Sequence, residues 1–318
     1  MKVDRSAVQA AVNSAHSDFS PDQGGENASY IPYLASVNPA LFGISVVTVD
    51  GEVFEAGDSN FEFALESISK VFSMARAMDE VGLPQFHDKV GADPTGEPFN
   101  SVIAVALHGD KPLSPLVNAG AMATVSLIPA GSAEERWQKI LATQSAFAGR
   151  EITLSDAVNN SEQSTNFHNR AIAWLLYSGG TMYSDPMEAC DVYTRQCSTL
   201  VTTVDLATMG ATIAARGMNP VTKKGAIAHP DIVPPMLAEM TMEGLYTASG
   251  DWAYRVGLPG KSGVGGGVLA VMPGILAIAA FSPPLDAAGN SVRARRAVAQ
   301  IASALHLNLY NASDYASA

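Results

Sequence analysis

The stretch Lys261-Ser262-Gly263-Val264-Gly265-Gly266-Gly267-Val-Leu-Ala-Val271-Met272-Pro273-Gly274-Ile275-Leu-Ala-Ile-Ala-Ala-Phe281 decides the fold. A glycine-rich string runs straight into an apolar segment, Gly267–Val271. A second apolar segment, Ile275–Phe281, follows after Met272-Pro273-Gly274. Proline and glycine between two short apolar runs read as a hairpin. A counterpart lies near the other end of the chain, where Phe42–Val49 and Val53–Ala56 flank Asp50-Gly51. Asp-Gly between β-branched runs is a hairpin signal, because both positions tolerate positive φ.

Between and around these hairpins the period is helical. Residues 4–16 read as an Ala-rich helix, and Ser67–Val81 has helical spacing. Ser132-Ala-Glu-Glu135 reads as a capping box that opens a helix through Ala146. Thr165–Tyr177 and Asp205–Arg216 follow, the latter stopped by Gly217, and Ser291–Leu305 closes the chain as an amphipathic helix. The expected fold is α+β. An antiparallel sheet built from both chain ends is flanked by helices, and an all-helical domain is inserted. The sheet domain takes residues 1–75 and 225–318, the helical domain 76–224. The cleft between them is the expected binding site.

Composition narrows the function. At 318 residues the chain has length for about two domains or one large one. It is long enough to bury a core without a metal or disulfide staple. With 47% apolar residues it is no disordered chain. A net charge of −12 disfavours nucleic acid and anionic lipid as partners. Cys190 and Cys197 match no zinc spacing and read as thiols of a reducing compartment. The stretch MKVDRSAVQAAVNSAHSDF has no basic head followed by an apolar run, and Asp4, Gln9, Asn13 and His16 interrupt it, so a signal peptide is not expected. The window Gly263–Phe281 is too broken by Pro273 and Gly274 for a membrane span of ~20 residues. A soluble, cytoplasmic protein is expected.

Three sets of residues carry chemistry. Ser67-Ile-Ser-Lys70 puts a hydroxyl and an amine on one helix face. A desolvated lysine favours its neutral form and can take the serine proton. The helix N-terminus offers N–H groups to an oxyanion. The alternative reading is a helix cap with a solvated lysine. Against it, the chain has eight lysines and this single Ser-x-x-Lys, set among Leu65, Ile68, Val71 and Phe72. The second set is Lys261 and the glycine string. Glycines there let a substrate or another backbone approach closely, and a flexible hinge or bulge is the bland alternative. An early Ser-x-x-Lys with a late Lys-Ser-Gly is the pairing described for penicilloyl-type serine acylases. The third set is Asn118, Glu162, Asn169, Tyr30, Tyr193 and Tyr246, polar groups in apolar company that individually read as structural. Glu162 and Asn169, seven residues apart, are expected on one face of a helix. His168, beside Arg170, reads as a surface or packing residue.

The stretches Tyr30-Ile-Pro-Tyr-Leu-Ala35, Phe42-Gly-Ile-Ser-Val-Val, Ser67-Ile-Ser-Lys-Val-Phe72, Phe99-Asn-Ser101, Val117-Asn-Ala-Gly-Ala121, Ser161-Glu162, Asn169-Arg-Ala-Ile-Ala, Tyr254 through Gly267 and Gly289-Asn-Ser-Val292 together resemble the glutaminases of the serine-dependent β-lactamase-like, penicillin-binding-protein-like fold. The resemblance runs from about residue 25 to 306, and the chain looks like the short bacterial form without ankyrin repeats. It implies an amidohydrolase acting on a linear amide, turning L-glutamine into L-glutamate and ammonia with no cofactor and no metal. It implies Ser67 as nucleophile, Lys70 as its base, and the N–H groups of Ser67 and Val264 as oxyanion hole. Tyr30, Asn118, Glu162, Asn169, Tyr193, Tyr246 and Val264 would line the substrate pocket. A homodimer or homotetramer is implied as well.

On chemical grounds Glu162 suits the substrate ammonium, and Asn118, Asn169 and a tyrosine suit its α-carboxylate or the orientation of Glu162. Lys261 supplies fixed positive charge and joins Ser67, Lys70 and Tyr30 as a catalytic candidate, with Tyr30 or Lys70 expected to return the proton and to activate the deacylating water. The sequence departs from the family at Leu175, where a tyrosine is common, and at Asp93-Pro-Thr-Gly96, where Glu-Pro-Ser-Gly is common. Two other readings stay open: a penicillin-binding or esterase-type serine hydrolase, and a non-catalytic amino-acid-binding module on the same fold.

Overall fold

The structure is a computed structural model that describes residues 4–311. Residues 1–3, where the N-terminal stretch starts, and 312–318, the end of the sheet part, lie outside the described residues. The strands are β1 (Gly43–Thr48), β2 (Val53–Gly57), β3 (Phe63–Ala64), β4 (Thr153–Leu154), β5 (Thr199–Val201), β6 (Gly260–Ser262), β7 (Gly267–Met272) and β8 (Leu276–Phe281). Five of them form one antiparallel sheet in the order β2-β1-β8-β7-β6. Both expected hairpins are present, turning at Gly51 (φ 92°) and Gly274 (φ 74°). The two chain ends meet where β1 pairs with β8, Gly43 opposite Phe281 and Thr48 opposite Leu276.

Every residue of β1, β7 and β8 is buried, because both faces of the sheet are covered. Side chains alternate between the faces along a strand, so the two covers draw on alternate residues. Ile44, Val46, Val268, Ala270, Ile278 and Ala280 meet Val8, Val12, Ala294 and Val298 of the terminal helices, Arg5–Phe19 and Val292–Ala304. Val47, Leu269, Val271, Ala277 and Ala279 turn to Leu206, Met209 and Ile213 of the Thr203–Ala214 helix. That helix sits close to the strands at Gly210, where an added Cβ would lie 2.5 Å from Leu269 Cδ1 and 2.6 Å from Ala277 Cβ.

Several sequence expectations need correction. The stretch 76–224 is not all-helical: β4 and β5 lie in it and join β3 in a small antiparallel ribbon ordered β3-β5-β4. Strands of two and three residues are too short to display a period. The Thr203–Ala214 helix, assigned from sequence to the helical part, packs on the sheet. The helix read over Thr165–Tyr177 is present as Phe167–Ser178, but a separate helix that the sequence reading missed, Asp156–Thr165, precedes it and meets it at Asn166. At Ser132 the hydroxyl does accept from the Glu135 N–H at 3.1 Å, but the Glu135 carboxylate accepts from Gly131 N–H instead of closing the box. Among the described residues, no helix is long and apolar enough to cross a membrane.

Candidate active site

The chain enters the site from β3. Leu65 is helical, then Glu66 takes φ 50°, a left-handed conformation that a non-glycine residue rarely adopts. This places Ser67 in a single 3-10 turn, Glu66–Ile68, from which the Ser69–Val81 helix continues. Ser67 and Lys70 are 5% and 0% exposed, and Lys70 Nζ lies 2.9 Å from Ser67 Oγ. Burial pulls the Lys70 ammonium down to about 8, against the opposing pull of Cys197, Glu66 and Glu162. A neutral amine within reach of a serine hydroxyl is the arrangement that activates it.

Asn118 fixes that amine. Its Oδ1 accepts from Lys70 Nζ at 2.7 Å and from the Tyr193 hydroxyl at 3.1 Å, and its Nδ2 donates to Asn169 Oδ1 at 2.9 Å. Asn118 is the first residue of the Asn118–Leu127 helix, and its own N–H donates to Phe99 O at 2.8 Å. Asn169 reaches the network from the second of the two helices that meet at Asn166. Glu162 comes from the first, so the two residues sit on separate helices and do not share one helical face. The Glu162 carboxyl is hydrogen bonded to Glu66, and burial raises both carboxyls above their usual range.

The glycine string closes the other side. An added Cβ at Gly263 would lie 3.0 Å from Leu65 O, and one at Gly265 would lie 2.6 Å from Ala64 O. The glycines are therefore required by the backbone of residues 64–66, which they let come close. Between them Val264 is 6% exposed. Among the described residues neither the Ser67 N–H nor the Val264 N–H has an acceptor. Two unpartnered donors thus stand beside the Ser67 hydroxyl, the kind of group that can donate to an oxyanion.

Tyr246 lies nearer the chemistry than a pocket wall would. Its hydroxyl donates to Ser262 O at 3.3 Å and lies close to Ser67. It too has positive φ, 57°. Lys261 does not reach Ser67. Its fully buried amine donates to Gly244 O at 3.0 Å and Ser262 O at 2.7 Å, and lies 4.3 Å from the Tyr246 ring centre. Burial, with Lys70 nearby, drives its ammonium well down. Lys261 thus lies beneath the Tyr246 ring, held by two backbone carbonyls. Tyr30 stands at the mouth with its ring half exposed, and no hydrogen bond joins it to Ser67 or Lys70 among the described residues. Burial of its phenol, aided by Tyr246, Glu66 and Glu162, raises it above the usual tyrosine value, so it stays protonated.

The sequence reading passed over Glu66 and Phe99 as site residues. The Phe99 ring stacks at a tilt on Tyr246, 4.5 Å between centres, and Lys70 Nζ lies 6.0 Å from it. A cavity of about 480 Å³, lined by Ser29, Tyr30, Phe99, Asp286 and Gly289, opens beside this ring. His168 lies outside the site, as expected, with Nε2 2.8 Å from Asn100 O.

Comparisons with known proteins agree over nearly the whole chain. The sequence profile of the family described as Glutaminase matches residues 25–310. A glutaminase of Bordetella avium is 64% identical over 311 residues, covering 98% of this chain and 99% of the relative. Glutaminase 1 of Shigella flexneri is 63% identical over 308 residues, covering 97% and 99%. Among solved structures, the probable glutaminase ybaS superposes with a TM-score of 0.96 at 62% identity, covering 97% of this chain and all of the other. Mglu in its glutamate form gives 0.91 at 33% identity, covering 97% of this chain and 71% of Mglu.

Proposed function

The chain belongs to the glutaminase family of amidohydrolases, and from that premise we propose that it converts L-glutamine to L-glutamate and ammonia through an acyl-enzyme on Ser67. The observation that carries this reading is the buried contact of Ser67 Oγ with an amine whose ammonium burial pulls down to about 8, within reach of the neutral form that a base needs. Lys70 takes the hydroxyl proton as Oγ attacks the side-chain amide carbon of the substrate. The oxyanion accepts from the Ser67 and Val264 N–H groups, one such donor being typically worth about 3 kcal/mol. The Lys70 ammonium returns the proton to the leaving nitrogen, with the Tyr246 hydroxyl beside Ser67 able to relay it, and ammonia departs. Water then cleaves the ester with Lys70 again as base. Tyr30, whose phenol holds its proton, acts at the mouth as a substrate contact and not as that base.

Glu162 takes the α-ammonium. Asn169, whose Oδ1 is already engaged by Asn118, has amide N–H groups with no acceptor among the described residues, available to the α-carboxylate. Asn118 acts mainly by aiming Lys70. The acidic pocket argues against bulky acylated substrates of the penicillin type, and the intact Ser67–Lys70 contact argues against a binding module. The sheet covered by helices on both faces supports the β-lactamase/penicillin-binding-protein-like reading. Two buried free thiols, Cys190 and Cys197, support a cytoplasmic setting.

The experiment is ammonia release from purified protein. Glutamine is hydrolysed, whereas asparagine, one methylene shorter, falls at least about 100-fold behind in kcat/KM because its carbonyl stops short of Ser67 Oγ. Equal rates on the two, or covalent labelling by a β-lactam with no ammonia from glutamine, would overturn the assignment.

A homo-oligomer is part of the proposal. Ile103, Leu107, Phe167, Trp174 and Tyr177 are all more than half exposed on the packed helices Val102–Leu107 and Phe167–Ser178. A clustered apolar surface of this kind marks an interface. The second helix also carries Asn169, so the interface adjoins the site. Trp174→Glu is expected to shift the light-scattering mass toward that of the monomer; a wild-type protein that is already monomeric at micromolar concentration refutes the interface.

A further inference from the structure

We propose that Glu66 and Glu162 share one proton, Glu66 donating it to Glu162, so that the pair presents a single negative charge to the substrate ammonium. Glu66 is then a positioning residue for Glu162. The proposal rests on the glutaminase reading of the site for its purpose, though not for its geometry.

The geometry is specific. Glu66 immediately precedes the nucleophile and is 3% exposed. Its stem occupies room that two glycines leave. A Cβ at Gly263 would lie 3.2 Å from Glu66 Cβ, and one at Gly265 would lie 3.0 Å from Glu66 Cγ. The left-handed backbone at this position is retained with a side chain that glycine would not need. One end of its carboxyl bonds Glu162, while Oε1 is buried with no partner among the described residues.

The groups facing the pair do not balance two negative charges. Around Glu66 these are Lys70 from the nucleophile helix, Tyr30 from the mouth, Tyr246 from its 3-10 turn and Cys197 from the Pro186–Cys197 helix. Around Glu162 they are Lys70, Tyr30, Cys197 and Tyr193. Lys70 alone can be cationic, and its donors go to Asn118 and Ser67. Two hydrogen-bonded carboxyls, one of them buried, with no committed cation keep a proton between them. The deeper one, Glu66, holds it, in line with the strong upward push that burial and Glu162 exert on that carboxyl.

Glu66→Gln keeps a donor toward Glu162 and removes the titrating proton, whereas Glu66→Leu removes both. Infrared difference spectroscopy of wild type minus E66Q, on free protein at pH 7, is expected to show a protonated-carboxyl band. The difference cancels Glu239, which burial lifts to about 8. Kinetically, E66Q is expected to hold KM for glutamine within about threefold, and E66L to raise KM roughly tenfold or more with kcat less affected, as loss of a hydrogen bond to a charged group would do. Absence of the band, or E66Q binding as poorly as E66L, overturns the proposal. If E66L does not fold, the band and E66Q still decide. If wild type failed to hydrolyse glutamine, the functional reading would fall, while the band would still report on the shared proton.

Discussion

Ser67→Ala is expected to lower kcat for glutamine by about 10⁴-fold or more, the scale on which serine hydrolases lose turnover with their nucleophile. No neighbouring group can take over. The Ser69 hydroxyl is engaged with Cys197 Sγ, that of Ser73 with Lys70 O and that of Ser262 with Asn290. Burial raises the Cys197 thiol far from its reactive range. The variant is expected to fold, because it loses one hydroxyl and leaves Lys70 bonded to Asn118, a stability change of about 1 kcal/mol. It should still bind glutamine, since Glu162 and Asn169 are untouched. The measurement is ammonia release by protein made in a host lacking its own glutaminases, with thermal melting and glutamine calorimetry alongside. Residual turnover above a few per cent in a folded, binding-competent variant would remove Ser67 from the mechanism.

Lys70→Met should cost a comparable factor in kcat/KM, through the base and not the nucleophile. Methionine keeps the buried stem and deletes the amine. In wild type, kcat/KM should rise about tenfold per pH unit and level off near the point where Lys70 loses its proton, about 8. K70M should lack this limb. Stability moves the other way. The Lys70 ammonium is held below its ordinary value, so the unfolded chain binds the proton more tightly than the native one. The penalty on folding is fully present below about 8 and fades as pH rises through the ordinary lysine value, 10.5. At pH 7 K70M therefore escapes a cost of about 3 kcal/mol, offset in part by two lost hydrogen bonds. Its melting temperature is not expected to fall. A clear drop in Tm at pH 7, or an acid limb unchanged in K70M, would contradict this account.

The hairpins were legible because Asp50-Gly51 and Pro273-Gly274 carry their turn chemistry locally. Ser67 and Lys70 were legible because helical spacing is enough to bring them together. What escaped the sequence depends on long-range packing. Glu66 looks like any polar residue beside a serine, and only Gly263 and Gly265, far along the chain, make the space that buries it. The seven-residue spacing of Glu162 and Asn169 suggested one helix, whereas Asn166, buried and bonded to Thr194 Oγ1 at 2.7 Å, ends one helix and starts the next. Lys261 looked like free charge beside a flexible string, but two backbone carbonyls and the Tyr246 ring claim it. Tyr30 and Tyr246 were alike as tyrosines in sequence; the fold sends one to the mouth and the other onto the nucleophile.

The pairing of β1 with β8 bears on how the protein is made. A chain emerging from the ribosome has β1 and β2 long before β8 exists, so the first hairpin waits with one edge unpaired. Such distant pairing slows folding and exposes sticky intermediates. A nascent or prematurely ended chain that stops before residue 260 already contains Ser67 and Lys70, yet lacks Val264 and the strands that complete the sheet. On the proposed mechanism, hydrolytic competence is thereby deferred until synthesis is almost finished, and truncated products would be inactive.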